Sequence, residues 1–193
     1  KLRSSLQIKQ SIGDRVGESA TWHNLASLDL DSGDFDAARE KFENSLRIKR
    51  SIGHRAGEAS TWHGLATLDI KEGHYLNAVT KMIRALRIKQ QLGHRAAEPG
   101  TWRQFATVAE RLERPQHALR LHALRCAVES AFHEPDTDLF DQLGEKLGLD
   151  QDDRQTLLAD ATEAYQSDGG LSWILEAFPE ARQESFDDVD ETE

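Results

Sequence analysis

Eight histidines, a single cysteine and thirty-four carboxylates are the side chains of this 193-residue chain that could do chemistry. Metal binding needs imidazole, thiolate or carboxylate at ligand spacing on one surface. His117 and His122 lie five apart, a poor shared helical face. His23 and His63 stand forty residues apart in matching local sequence, as do His54 and His94, so repetition accounts for their number. Cys126 has no partner for an internal disulfide and occupies the place held by Leu46 and Leu86 in similar segments, which reads as a small buried hydrophobe. No Gly-rich phosphate loop, serine elbow or zinc motif is present. The expectation is a protein that is not an enzyme, with no cofactor and no metal.

Charge is unevenly spread. The net charge is −10, yet residues 1–133 carry +6 and residues 134–193 carry −16. No stretch approaches the roughly 18–20 apolar residues of a membrane span, and no basic-then-apolar leader opens the chain. A cytoplasmic location and no membrane contact are expected. The chain opens on Lys1 inside a helical pattern and reads as part of a longer protein.

The elements that must position any site announce themselves by self-similarity. Thr21-Trp22-His23 returns as Thr61-Trp62-His63 and as Thr101-Trp102-Arg103, and 19 of 40 positions agree between 19–58 and 59–98. Each period reads as two helices. The first spans about Ser19 to Asp31, with Trp22, Leu25, Ala26 and Leu28 as its apolar stripe. Gly33 stops it and Asp34 caps the second, about Phe35 to Ser51, whose inward residues are Ala38, Phe42, Ser45, Leu46 and Ile48. Gly53 suits a left-handed position after the helix end.

Trp22, Leu25-Ala26, Gly33-Asp34-Phe35, Ala38 and Phe42 resemble the tetratricopeptide signature over roughly residues 1–131. The resemblance implies an all-α, right-handed α-solenoid of antiparallel helix pairs, with Ala26, Ala66, Ala106, Ala38, Ala78 and Ala118 where paired helices approach most closely. The forty-residue period, with Arg50 and Gln90 where a closing proline is usual, is similar to the long-repeat subtype of bacterial sensor and signalling proteins and animal polarity adaptors. Asp29, Asp69 and Ala109 stand where the family has tyrosine. The third repeat is the most altered: Glu113 replaces the turn glycine, Pro115 opens its second helix, and His122 and Arg125 replace apolar or small residues.

The domain organisation read from the sequence is the end of a preceding repeat (1–18), repeats at 19–58 and 59–98, a degenerate repeat at 99–133, a helical capping subdomain at 134–179 and an acidic tail at 180–193. Helices are expected near 137–147 and 151–166, followed by a short apolar one carrying Leu171, Trp173, Ile174 and Phe178.

Stacked hairpins turn their first helices toward a concave face. By the resemblance, that groove is lined by His23, Asn24, Ser27 and Asp31, by His63, Gly64, Thr67 and Lys71, and by Arg103, Gln104, Thr107 and Arg111. The implied function is protein–protein interaction, as an adaptor or the ligand-sensing part of a larger signalling or defence protein. The partner is a protein or peptide, with carboxylates suited to the arginines. The acidic tail could compete for the same groove within the molecule. Alternatives are a nucleic-acid-binding solenoid using Arg47, Lys49, Arg50, Arg87 and Lys89, and homotypic assembly, giving a homo-oligomer, through apolar faces near Leu2, Leu6 and Ile8.

Overall fold

A computed structural model describes residues 2–182. The described residues form ten α-helices and two short 3-10 turns, with no strand among them. The helices are α1 (Leu2–Ser11), α2 (Arg15–Ser32), α3 (Phe35–Ser51), α4 (Arg55–Glu72), α5 (Tyr75–Gln91), α6 (Pro99–Arg111), α7 (Pro115–Glu129), α8 (Asp138–Lys146), α9 (Gln151–Asp168) and α10 (Leu171–Ala177). They pack largely against their neighbours in sequence, α1 on α2, α2 on α3, α3 on α4, and α6 on α7. The chain divides into two compact units, one ending at Ile88 and the other starting at Lys89, so the division falls within α5.

The first unit is built on the small residues that the repeat places at helix crossings. Ala26, Ala38, Ala66 and Ala78 are completely buried, where packed interiors leave no room for added volume. Around them Leu30, Phe42, Leu46, Trp62, Leu65, Leu68, Ala85 and Ile88 form one core. The Ser45 hydroxyl, buried in α3, donates to the Ser19 carbonyl at 2.8 Å and ties α3 to α2. Turn chemistry follows the sequence. Gly33 and Gly73 adopt φ of 81° and 82° after α2 and α4, and Asp34 caps α3 by accepting from the Ala37 amide.

Two expectations need correction. The first helix of each of the first two hairpins starts earlier than its apolar stripe suggested, at Arg15 and Arg55 instead of near Ser19 and Ala59. Asp14 caps α2 by accepting from the Gly17 amide at 2.8 Å, so the segment read as a connection is the first helical turn. A glycine is needed there: a Cβ on Gly57 would lie 2.8 Å from the His54 ring and 3.0 Å from the Lys49 side chain. The third repeat has Ala97 at this position, followed by Pro99 and Gly100, and its chain makes only a 3-10 turn at Arg95–Ala97 before α6 begins at Pro99. Proline lacks the amide that a longer helix would use and is accepted at a first helical position. The second correction is Leu28, expected in the apolar stripe but 55 % exposed, while its repeat counterparts Leu68 and Val108 are fully buried.

In the second unit α7 is the central helix, touched by α6, α8, α9 and α10. Its core holds Trp102, Phe105, Leu121, Leu124, Phe140, Ile174 and Phe178. Cys126 is buried there, as its repeat position implied, and burial raises its thiol to about 11. Gly169 and Gly170 both take left-handed φ, and a Cβ on Gly170 would meet the Trp102 ring at 2.7 Å, so the α9–α10 corner lies directly on that tryptophan. Arg125, where earlier repeats have Ser45 and Ala85, is wholly buried. It donates two bonds to the Glu129 carboxylate at 3.0 and 2.8 Å and binds the Asp136 carbonyl, fixing the chain between α7 and α8.

Candidate functional site

Helical periodicity divides α2 and α4 into a packing stripe and a second face. On α2, Asn24 and Asp31 are exposed while Ala26 and Leu30 enter the core. On α4, Lys71 is exposed while Leu65 and Leu68 enter it. Within the first unit His23, Asn24, Ser27 and Asp31 lie on α2, and His63, Thr67 and Lys71 lie on α4, which touches α2. In the second unit Arg103 and Arg111 are exposed on α6, with Gln104 and Thr107 half-buried.

These positions do not contribute equally. The hydroxyls of Ser27, Thr67 and Thr107 each donate to the carbonyl four residues earlier, those of His23, His63 and Arg103, at 3.1, 3.0 and 3.0 Å. Their protons are committed to their own helices. Gly64 sits against the Phe42 ring, where a Cβ would come within 2.6 Å, so that position belongs to the packing and corrects the expected groove. His23 packs edge-on against Phe42 with ring centroids 5.2 Å apart, and its Nδ1 lies 3.4 Å from the Thr61 hydroxyl. Burial first, and then the nearby Lys49 charge, lower its pKa to about 4, so it is a neutral imidazole at pH 7. The charged positions left exposed are Asp31 and Lys71 in the first unit and Arg103 and Arg111 in the second.

At the joints between successive helices lies a polar constellation that no motif signals. Lys49 is 5 % exposed and donates to the Thr61 hydroxyl at 2.8 Å. Lys9 does the same to Thr21 at 3.0 Å and to the Gly17 carbonyl at 3.1 Å. Lys89 does so to Thr101 at 2.8 Å and to the Ala97 carbonyl at 2.7 Å. Each lysine reaches twelve residues ahead and stitches the end of one helix to the start of the next. Burial lowers Lys49 to about 8. A glutamate repeats beside it. Glu58 accepts from Arg50 at 3.0 Å, Arg55 at 2.7 Å and the Trp62 indole at 3.3 Å. Glu98 accepts from the Tyr165 hydroxyl with both oxygens at 3.0 Å. The signal was present in the sequence, since Lys, Glu and Thr recur at the forty-residue period. Lysine in an amphipathic helix nevertheless reads as surface charge.

A second latch crosses the hairpins. Lys41 pairs with Asp29, and Lys81, also twelve residues on, pairs with Asp69. Asp69 additionally accepts from Arg39 of α3 at 3.0 Å, and Arg39 reaches Glu72 as well. Each of these aspartates is thus answered by a lysine twelve residues further on. Asp69, Glu72 and His74 bring one ligand atom each within 4.8 Å of one another. Arg39 and Lys81 already neutralise the carboxylates, so the grouping is suited to cations of the protein itself.

The basic residues suggested for nucleic acid fare differently. Lys49 and Lys89 are buried, which corrects their assignment to an outer surface, and Arg50 is held by Glu58 and lies over the Trp62 ring. Of the acidic tail, residues 180–182 are described: Glu180 pairs with Arg114 at the start of α7, at 2.6 Å, and Ala181 is buried. The remainder, 183–193, lies outside the described residues. No helix is long and apolar enough to cross a membrane among the described residues. No family model and no curated protein matches the chain.

Proposed function

We propose that the chain is a protein–protein interaction module of the tetratricopeptide kind, a right-handed solenoid whose last hairpin is covered by α8–α10. In this reading it serves as a cytoplasmic adaptor, or as the ligand-sensing part of a larger signalling or defence protein. It binds a peptide or protein segment, for which α2 and α4 of the first unit and α6 of the second each offer an exposed helix face. The supporting observation is the separation of labour on the first helices: alanine and leucine supply the packing, while Asn24, Asp31 and Lys71 project from it without serving the core. Arg103 and Arg111 do likewise on α6. Arginine recognises carboxylates through paired donors, so an acidic segment is the ligand class for α6.

Selection of displayed peptides against the full chain tests this. Selected sequences are expected to carry carboxylates and to bind Arg103→Glu plus Arg111→Glu at least tenfold more weakly, with thermal unfolding unchanged. Peptides that bind this double variant as well as wild type defeat the proposal. The acidic tail fits the reading as a tethered competitor, because a tether supplies an effective concentration in the millimolar range. A chain ending at Arg182 then binds the selected peptides more tightly than the full chain, and equal affinity removes the competitor.

A further inference from the structure

Two positions that are apolar in the first two hairpins become titratable together in the third. Leu30 of α2 and Phe42 of α3 lie in one apolar core. Forty residues on, the same positions hold Ile70 of α4 and Met82 of α5, the latter fully buried. In the hairpin of α6 and α7 they hold Glu110 and His122, with Oε1 and Nε2 3.4 Å apart. His122 is 2 % exposed, and its Nδ1 meets no hydrogen-bond partner among the described residues, so Glu110 alone holds the ring. The Glu110 side chain is half exposed. Arg103, Thr107, Glu110 and Arg111 follow helical spacing, so the glutamate stands in one stripe with both arginines of the α6 face. Arg103 occupies the position from which His23 packs on Phe42, with ring centroids 5.2 Å apart, and its charge is felt at His122. The nearest charged group on α7 itself is Arg125. Charged groups from the other elements on α7 are engaged elsewhere: Arg95 over Tyr165, Asp141 with Arg154, and Glu176 with Arg120.

We propose that a proton on His122 regulates the α6 face, which takes an acidic ligand more tightly when the imidazole is charged. This rests on the proposed function, because it requires Arg103 and Arg111 to receive carboxylates. With the ring neutral, the charge of Glu110 stands beside the arginines and repels an incoming carboxylate. With the ring charged, the imidazolium neutralises Glu110 and leaves both arginines to the ligand. Burial holds the His122 pKa below its ordinary 6.5, Glu110 opposes that shift, and the charges of Arg125 and Arg103 add to it. A bound carboxylate offsets Arg103, so binding raises this pKa and draws in a proton. By reciprocity, affinity rises as pH falls below 6.5.

The probe is hexaglutamate, added to the full chain in calorimetry at constant ionic strength. Its side chains stay largely ionised at about pH 7.5 and about pH 5.5. Affinity is expected to rise about fivefold between the two, at the low end of couplings between sites, with proton uptake seen as a buffer-dependent heat. His122→Met restores the residue of the second hairpin and should remove most of that rise, with thermal unfolding confirming the fold at each pH. Glu110→Gln, at a half-exposed position, should tighten binding at the higher pH and leave little further gain in acid; it carries the test alone if His122→Met fails to fold. A rise that both variants retain belongs to other histidines and overturns the proposal, as does the absence of any rise. Arg103→Glu plus Arg111→Glu separates the two readings. If this double variant binds hexaglutamate as well as wild type, or wild type fails to bind it at millimolar concentration, the acidic-ligand reading of α6 falls and takes the inference with it. Binding that needs the arginines but ignores pH defeats the inference alone.

Discussion

The hairpin of α4 and α5 and that of α6 and α7 solve the same packing problem in different ways. In the former, Asp69 is buried against Lys81 and Arg39. In the latter, the corresponding residues are Ala109 and Leu121, both fully buried, with Val79 at the position of Arg39. Glu58 is held by two arginines, while Glu98 is held by the phenol of Tyr165 in α9. The guanidinium groups of Arg50 and Arg84 both lie over the Trp62 ring, at 5.1 and 5.0 Å, while Trp102 lies against Gly170. A repeat position is thus defined by its geometry, and either an ion pair or an apolar contact fills it. The choice matters energetically, since apolar replacement of a buried ion pair is often neutral, whereas removing one partner leaves an uncompensated charge.

The largest test of this contrast is the tryptophan position. Trp102→Ala is expected to cost about 4 kcal/mol in urea unfolding, since a wholly buried indole leaves a cavity. Trp22→Ala, at a half-buried site, is expected to cost less than half as much. Equal losses would show that the α9–α10 corner adds nothing to the packing of Trp102.

Next comes the ionic latch. Asp69→Ala should destabilise by about 3 kcal/mol because Arg39 and Lys81 lose their shared acceptor. Asp29→Ala, at a partly exposed site, should cost under about 1 kcal/mol. Transplanting the third hairpin's solution, Asp69→Ala with Lys81→Leu, should recover most of the loss. Failure to recover it would mean that the two fillings are not interchangeable.

Proton linkage gives effects of about 1–2 kcal/mol once partial solvent access is allowed for. Lys49 titrates near 8 in the folded protein and at the usual 10.5 when unfolded. Between those values the unfolded chain holds the extra proton, so stability rises as pH increases from about 8 toward 10.5. His23 titrates near 4 against 6.5 unfolded, so stability is lost as pH falls from 6.5 toward 4. Thermal unfolding of Lys49→Met should show a flattened alkaline limb, and His23→Gln a flattened acidic one. Unaltered limbs would place the titrating groups elsewhere.

The smallest expected effect concerns the turn before α7. Glu113 adopts φ of 59°, where Gly33 and Gly73 stand in the earlier hairpins. Left-handed backbone is unfavourable for a residue with a Cβ, so Glu113→Gly should stabilise by up to about 1 kcal/mol. A loss on substitution would show that the glutamate side chain compensates for its backbone.

Much of this fold could be read from the sequence because its signals are local or periodic. The forty-residue repeat, the alanines at the crossings, the glycines after α2 and α4, and the Asp34 cap each depend on a residue type at a fixed offset. The earlier helix start escaped because Arg15–Glu18 carries no apolar stripe, and it depends on a cap hydrogen bond that periodicity does not register. Leu28 was misread because burial depends on what lies opposite, a property that its own helix does not encode. The candidate face was located by position, but the silencing of Ser27, Thr67 and Thr107 by their own carbonyls, and of Gly64 by Phe42, required three-dimensional contacts. Lys49 and Lys89 were misassigned because a buried lysine and a solvated one have the same letter.

Those two lysines have a practical consequence. An amine shut away behind a threonine hydroxyl is protected from acylating reagents until the joint between successive helices opens. Brief exposure to an amine-reactive label, followed by mass spectrometry, would modify Lys71 and Lys146 at once and Lys49 and Lys89 only at the rate of local opening. The protein thus carries a built-in clock at two of its joints.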